Sequence, residues 1–105
     1  MRINLSPRNW DAPLRVLKYG DVLTINGTKY GFTSIPEGGS LPASATDCAF
    51  LEGDISRVNG ELHLTLILPH GSNPSREVAF PVPLLEVRDG EVPLPFDEPG
   101  SKEKT

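Results

Sequence analysis

Asn59-Gly60-Glu61-Leu62-His63-Leu64-Thr65-Leu66-Ile67-Leu68 is the stretch that decides how this chain folds. Leucine recurs at every second position from Leu62 to Leu68, and a strand places alternate side chains on opposite faces, so these four share one face. The Asn-Gly pair that opens the stretch readily supplies the two positive φ angles of a type I′ hairpin turn. A two-residue loop there opposes Arg57 to Leu62, Ile55 to Leu64, Gly53 to Leu66 and Leu51 to Leu68. This pairing collects one apolar face, while Glu52, Asp54, Ser56, Glu61, His63 and Thr65 point the other way. The leucine strand is expected to lie centrally in its sheet. Ile67 interrupts the polar side and predicts that part of that face is covered too.

Upstream, Asn26-Gly27 repeats the device. A two-residue loop sets Ile25 against Thr28, Leu23 against Tyr30 and Asp21 against Phe32, which again gathers the apolar residues on one face. A four-residue loop over Lys18-Tyr19-Gly20-Asp21 then sets Leu17 against Val22, Val16 against Leu23 and Leu14 against Ile25. A three-residue loop would oppose Leu14 to Thr24 and Arg15 to Leu23, so the four-residue loop is preferred. Residues 14 to 33 read as a three-stranded meander with Arg15, Thr24 and Lys29 on its wetter side. Downstream, Leu84 to Phe96 around Asp89-Gly90 reads as a third, less regular hairpin. Its Pro93 faces Glu86 at a hydrogen-bonded position where proline has no N–H to donate, so that ladder must be short. Pro81, Pro83, Pro93 and Pro95 bracket it and favour an extended edge that cannot recruit further strands. Leu84, Leu85, Val87, Val92, Leu94 and Phe96 are expected to pack onto the other two units.

Ten glycines and eleven prolines in 105 residues leave no uninterrupted window for a long amphipathic helix. The fold class expected is therefore all-β, a small antiparallel β-sandwich or rolled β-barrel with little or no helix. The 29 Leu, Ile, Val and Phe residues suffice for one core, which points to a single domain over residues 1–96. A polar C-terminal tail, 97–105, is expected to be flexible. Two long connections remain, Ser34 to Ala49 and Pro69 to Glu77, which either carry function or cover an open sheet. Ala43 to Asp47 is placed for a helical turn after Pro42.

Net charge is −4, from ten Lys and Arg against fourteen Asp and Glu. The scattered basic residues and this balance oppose phosphate neutralisation, so no nucleic-acid partner is expected. A single cysteine, Cys48, forms no internal disulfide. Met1 to Trp10 lacks the apolar core of a signal peptide, and the longest apolar stretch, Leu64 to Pro69, falls far short of the roughly 20 residues of a spanning helix. No membrane partner is expected, and a cytosolic setting is favoured. The glycosylation patterns at Asn4-Leu5-Ser6 and Asn26-Gly27-Thr28 are read as chance, since that chemistry needs secretion.

Candidate chemistry is sparse. His63 and His70 with Cys48 and Asp47 or Asp54 are metal-ligand types, but their spacing matches no metal pattern, and solvated histidines are the expectation. No Gly-x-Ser-x-Gly elbow occurs, and Gly38-Gly39-Ser40 and Gly71-Ser72-Asn73 are read as turns. Asp54, Glu61 and His63 share one strand face, where they are expected to serve as solubilising charge. Cys48 has no neighbouring cation or helix start to depress its pKa and is expected to be a small buried hydrophobe. No catalytic, cofactor-binding or metal-binding residue is assigned, no cofactor is called for, and no enzymatic activity is expected. Trp10, in the proline-flanked segment Ser6 to Pro13, either anchors a partner or caps one end of the core. With the 69–77 connection taken as a contact element, Trp10, His70 and Asn73 are the candidate partner-binding residues.

Gly20-Asp21-Val22-Leu23-Thr24-Ile25-Asn26-Gly27 followed by Phe32, Pro36 and Gly38 resembles the opening of small proteins encoded in tail-gene clusters of tailed bacteriophages and prophages. Asn59-Gly60-Glu61-Leu62-His63-Leu64-Thr65-Leu66, then Leu68-Pro69-His70-Gly71 with Asn73-Pro74 and Phe80-Pro81, is similar to the same group. The likeness spans about residues 1 to 96 and rests on β-turns, so no catalytic or binding residue carries over. What the resemblance implies is a setting: the host bacterial cytoplasm during assembly, and the virion if the protein is incorporated. The partners implied are tail or baseplate proteins, with a non-enzymatic role as a tail or baseplate component or an assembly accessory. The alternative is a small-ligand or carbohydrate-binding module of the adhesion machinery. For that role Trp10, Tyr19 and Tyr30 are the aromatic residues available to stack on sugars, and Tyr30 is assigned to the core.

Overall fold

The computed structural model describes residues 1–10, 12–71 and 73–95. The chain is mostly strand and forms two four-stranded sheets. The first contains β1 (Arg2–Asn9), β5 (Ser40–Pro42), β6 (Leu51–Val58) and β7 (Glu61–His70), in the order β1-β7-β6-β5. The second contains β2 (Val16–Tyr19), β3 (Val22–Ile25), β4 (Thr28–Gly31) and β8 (Gly90–Glu91), in the order β4-β3-β2-β8. The all-β expectation holds. Among the described residues, helix is confined to a 3₁₀ turn at Ala43–Thr46, directly after Pro42 as anticipated, and to α1 (Arg76–Ala79).

Both Asn-Gly corners turn as the sequence dictates. Asn26 and Gly27 have φ of 50° and 87°, and Asn59 and Gly60 have 53° and 77°, the left-handed pair that a type I′ turn requires. The Glu37 carboxylate fixes the second corner by accepting from the Asn59 and Gly60 amides at 2.6 and 2.5 Å. The β3–β4 pairing is the expected one, with Leu23 opposite Tyr30 and Ile25 opposite Thr28.

Other pairings correct the sequence reading. Between β2 and β3, Val16 lies opposite Ile25 and Lys18 opposite Leu23, so the loop is the two residues Gly20-Asp21 and not four. Gly20, at φ 60°, allows so tight a turn because it has no Cβ to clash. The shorter loop makes Lys18 part of the strand, on the inner face with Val16, where the residue is only 8% exposed. Along β6 and β7 the expected Arg57–Leu62 pair forms next to the turn. Beyond it the ladder slips, and Glu52 pairs with Thr65 and Leu51 with Leu66, in place of the Leu51–Leu68 and Gly53–Leu66 pairs. Residues 53 to 55 bulge opposite Leu64, with Gly53 at φ 71°. The bulge bends the strand while Ile55 stays fully buried.

The parallel pairing of β1 with β7 was not among the expected hairpins. It sets Ile3 against Leu64, Leu5 against Leu66 and Pro7 against Leu68, and it makes the leucine strand internal, as predicted. Ile3 turns its backbone N–H and C=O outward to Leu84 at 2.8–2.9 Å. By the alternation of a strand, Pro7 therefore faces the same open edge, where a missing N–H costs nothing.

The third hairpin does not form. Gly90–Glu91 pairs with Lys18 and Leu17 of β2, and Leu84 bridges Ile3 of β1. Prolines deprive the 84–96 ladder of donors, and the edges of the two sheets supply partners instead. Val92 is buried and Leu84, Val87 and Leu94 are half-buried against the core, as expected. Leu85 corrects that expectation, for it is 64% exposed. Phe96 and the tail 97–105 lie outside the described residues.

One core joins the sheets. Ile3, Ile55, Leu64 and Leu66 of the first meet Val16, Leu23 and Ile25 of the second, with Phe32 and Ile35 from the connection. Full burial of each such side chain contributes about 1.5–3 kcal/mol. Arg57 ties that connection down: its guanidinium donates to the carbonyls of Ile35 and Phe32 at 2.6 and 3.2 Å and to Asp21 at 2.9 Å. Ile67, on the outer side of β7, is 5% exposed, so that face is indeed covered in part.

Candidate functional site

After α1, whose Val78 is buried, the chain runs as Phe80-Pro81-Val82-Pro83-Leu84-Leu85. Two prolines fix φ and remove two donors, so this segment cannot join a sheet through a continuous ladder. Phe80 is 77% exposed and Val82 74%, and Leu85 follows close behind. Scattered exposed apolar residues are ordinary, but three large ones within six positions form a ribbon of the kind that marks contact surfaces. Two shallow grooves of about 370 and 400 Å³ adjoin it, a third of about 530 Å³ lies beyond them, and Pro93 lines all three. The first is walled by Phe80 and Val82 themselves, the second by Leu85 and Val87, and the third by Leu14 and Leu94.

The segment that follows is pinned at discrete points. The Val87 amide donates to the Met1 carbonyl at 3.3 Å and the Val92 amide to the Val16 carbonyl at 2.9 Å. Asp89 Oδ1 accepts from Lys18 Nζ at 2.8 Å and from the Gly20 amide at 3.0 Å. These two donors, the Lys18 ammonium first, hold the Asp89 carboxyl below the usual carboxylate range. Glu86 sits at φ 52°. Asn26, Asp47 and Asn59 also have positive φ, but Asn and Asp tolerate that region and a glutamate does so poorly.

The residues singled out from sequence fall elsewhere. Trp10 is half-buried and stacked on Phe50, with ring centroids 4.8 Å apart and planes inclined by 24°. Its amide donates to the His70 carbonyl at 3.1 Å, which brings Trp10 and His70 together at the end of the first sheet. The His70 ring donates from Nδ1 to the Gly71 carbonyl at 2.6 Å. Asn73 is exposed, three residues further along.

His63 lies opposite Ser56, as read from the register, and its Nε2 is 3.2 Å from Glu61 Oε1. That contact, helped by the Met1 amine at 3.5 Å, lowers the Glu61 pKa. Asp54, the third member of that trio, pairs across β5 with Pro42. Cys48 is a free, buried thiol, and its contact with Tyr30 raises the phenol pKa. Of the aromatic residues considered for sugar stacking, Tyr30 is half-buried, one face of Trp10 is taken by Phe50, and Tyr19 is 59% exposed. Among the described residues, no three His, Cys, Asp or Glu side chains group as metal ligands, and no helix is long and apolar enough to cross a membrane.

The exposed ribbon is not evident from hydrophobicity, which predicts packing for Leu85 and gives Phe80 and Val82 no place in a hairpin. The signal available was the alternation Phe80-Pro81-Val82-Pro83, apolar side chains on a backbone stripped of donors. No family model matches the chain, and no curated protein and no solved structure is significantly similar to it.

Proposed function

We propose that this chain is a non-enzymatic phage or prophage protein that works through protein–protein contacts, as a tail or baseplate component or as an accessory in tail assembly. The observation that carries the contact reading is the ribbon of Phe80, Val82 and Leu85, large apolar side chains held out to solvent on a proline-stiffened backbone. Stiffness matters because a segment already extended loses little conformational entropy when a partner covers it. The setting rests on the resemblance of residues 20–38 and 59–81 to proteins of tail-gene clusters. The end of the first sheet, with Trp10 and His70, and the exposed Asn73 on the connection that follows are the second contact region in this reading.

Mass spectrometry of purified particles and of tail-assembly intermediates tests both parts. The wild-type chain is expected in one of the two, and the double variant Phe80→Ser/Val82→Ser is expected to be depleted about 10- to 100-fold, the range for removing central apolar anchors. Circular dichroism of the variant checks that it remains folded. Absence of the wild-type chain from both fractions overturns the setting, and undiminished incorporation of the folded double variant overturns the contact role of the ribbon.

A further inference from the structure

We propose that residues 84–94 form an exchangeable strap, and that a second copy of this chain is the partner that receives it, two molecules trading straps about a hinge at residues 80–83. The strap is the element that reaches the edges of both sheets. Leu84 exchanges two hydrogen bonds with Ile3 on the edge of β1, and Val87 donates to Met1. Gly90 and Glu91 pair with the edge of β2, Val92 donates to Val16, and Asp89 accepts from Lys18 and Gly20. The receiving groups in these bonds all lie within residues 1–20. A second copy therefore carries the complete receiving site and the complete donated segment, so exchange requires no new complementarity. An unrelated partner would have to reproduce the outward Ile3 pairing and also place a carboxylate over the inward-facing Lys18.

The strap is built to separate as a unit. Its bonds are spaced out instead of zipped, because Pro81, Pro83 and Pro93 interrupt the ladder at both ends. Glu86 holds a left-handed φ that a glutamate resists. On the near side of the hinge the fully buried Val78 anchors α1 to its own body, so separation begins after Ala79. The hinge is short and stiffened by two prolines, and short, stiff hinges favour exchange, while the structure shows the strap docked on its own body. Exchange also gives the exposed hinge a role: two hinges crossing between bodies lie side by side, and Phe80 and Val82 cover one another. The inference rests on reading those side chains as a contact surface and names the partner they meet.

The test is a disulfide trap at Leu17 and Glu91, which lie directly opposite each other across β2 and β8. The full chain carrying Cys48→Ser, Leu17→Cys and Glu91→Cys is refolded over a series of rising protein concentrations, oxidised, and run on a non-reducing denaturing gel. A 17–91 disulfide within one chain reports a strap at home, and a 17–91 disulfide between chains reports an exchanged one. Peptide mapping confirms the linkage, and the two single-cysteine variants control for collisional dimers. The expected result is covalent dimer that increases severalfold with refolding concentration and is reduced when a flexible Gly-Ser insertion after Val82 relaxes the hinge. Purely intramolecular linkage at every concentration overturns the exchange and leaves the contact reading to the particle experiment. Should the triple variant fail to fold, native mass spectrometry of the wild-type chain refolded over the same series decides: a dimer slow to dissociate on dilution supports exchange, and monomer throughout overturns it.

Discussion

Two leucine-rich regions of this chain meet opposite fates. In β7, Leu62, Leu64, Leu66 and Leu68 are all buried, whereas between residues 80 and 85 a phenylalanine, a valine and a leucine of equal hydrophobicity stand in solvent. The difference lies in the backbone. β7 has neighbours on both sides, β1 and β6, and donors at every position but Pro69, so ladders form along it and its leucine face is fixed over the core. The 80–95 region has four prolines and pairs with the sheets only at Leu84 and at Gly90–Glu91. Apolar character alone therefore does not decide burial in this protein. Continuous pairing with neighbouring strands places the leucines of β7 over the core, and the 80–85 segment has no such pairing beyond the Leu84 bridge.

Truncating one leucine in each region should produce very different losses of stability. Leu66→Ala leaves a hole in a fully buried site and should cost about 3 kcal/mol, within the 2–5 kcal/mol range for buried leucines. Leu85→Ala should stay within about 0.5 kcal/mol, as surface changes do. Urea denaturation of the two variants measures both, and equal losses would mean that the strap region is as tightly integrated as β7. Next in size is a gain. Glu86→Gly relieves a left-handed φ and should raise stability by about 1 kcal/mol. A loss on this substitution would show that the glutamate is held by contacts that outweigh its backbone.

The same contrast explains what could be read in the sequence. Turn positions were legible because Asn-Gly chemistry is local and specific, and Asn26-Gly27 and Asn59-Gly60 both turn where expected. The two register errors, at Gly20-Asp21 and at Gly53, share a cause. Each is a slip of two residues, which leaves every side chain on its original face, so hydrophobic alternation cannot detect it. The observed first register puts Lys18 in reach of Asp89, 71 residues away in sequence, and no local pattern announces that pair. The parallel β1–β7 pairing was hidden for a related reason: no turn connects the two strands, and Ile3 and Leu5 alone make a short alternation. Of the candidate sites, Trp10 was conspicuous as the chain's one tryptophan, and the structure stacks it on Phe50. Phe80 is inconspicuous in the sequence because prolines at 81 and 83 predict a blocked edge as readily as a display of the residues beside them.

A smaller effect, confined to acid, probes the pin between the two regions. The folded state lowers the pKa of Asp89, through Lys18 and the Gly20 amide. A depressed carboxylate stabilises the fold above its ordinary pKa, and that contribution is lost as pH falls through the usual carboxylate range and below. Asp89→Asn should therefore flatten the acid limb of the stability curve, and Asp89→Ala should speed hydrogen exchange at the Gly20 amide at neutral pH. Glu61, whose pKa is lowered mainly by His63, contributes with the same sign, so Glu61→Gln should flatten the acid limb as well. It should leave Gly20 exchange unchanged, and that readout separates the two carboxylates. A Gly20 amide equally protected in Asp89→Ala, which lacks the acceptor, would remove the pin.

The smallest stability effect is expected at the most conspicuous side chain. Phe80→Ser deletes a ring that is 77% exposed, so little apolar area returns to water on unfolding and the melting temperature of the dilute protein should hardly move. The hydroxyl is solvated in both states and adds no buried polar cost. Solubility should rise, because an exposed apolar anchor favours association. Trp10→Ala supplies the contrast within this prediction: its ring is stacked on Phe50 and half-buried, so its removal should lower the melting temperature even where no partner is present. If Phe80→Ser proved the more destabilising of the two in thermal melts at low concentration, Phe80 would be part of the fold, and the division between a ladder-fixed body and a displayed ribbon would fail at its clearest point.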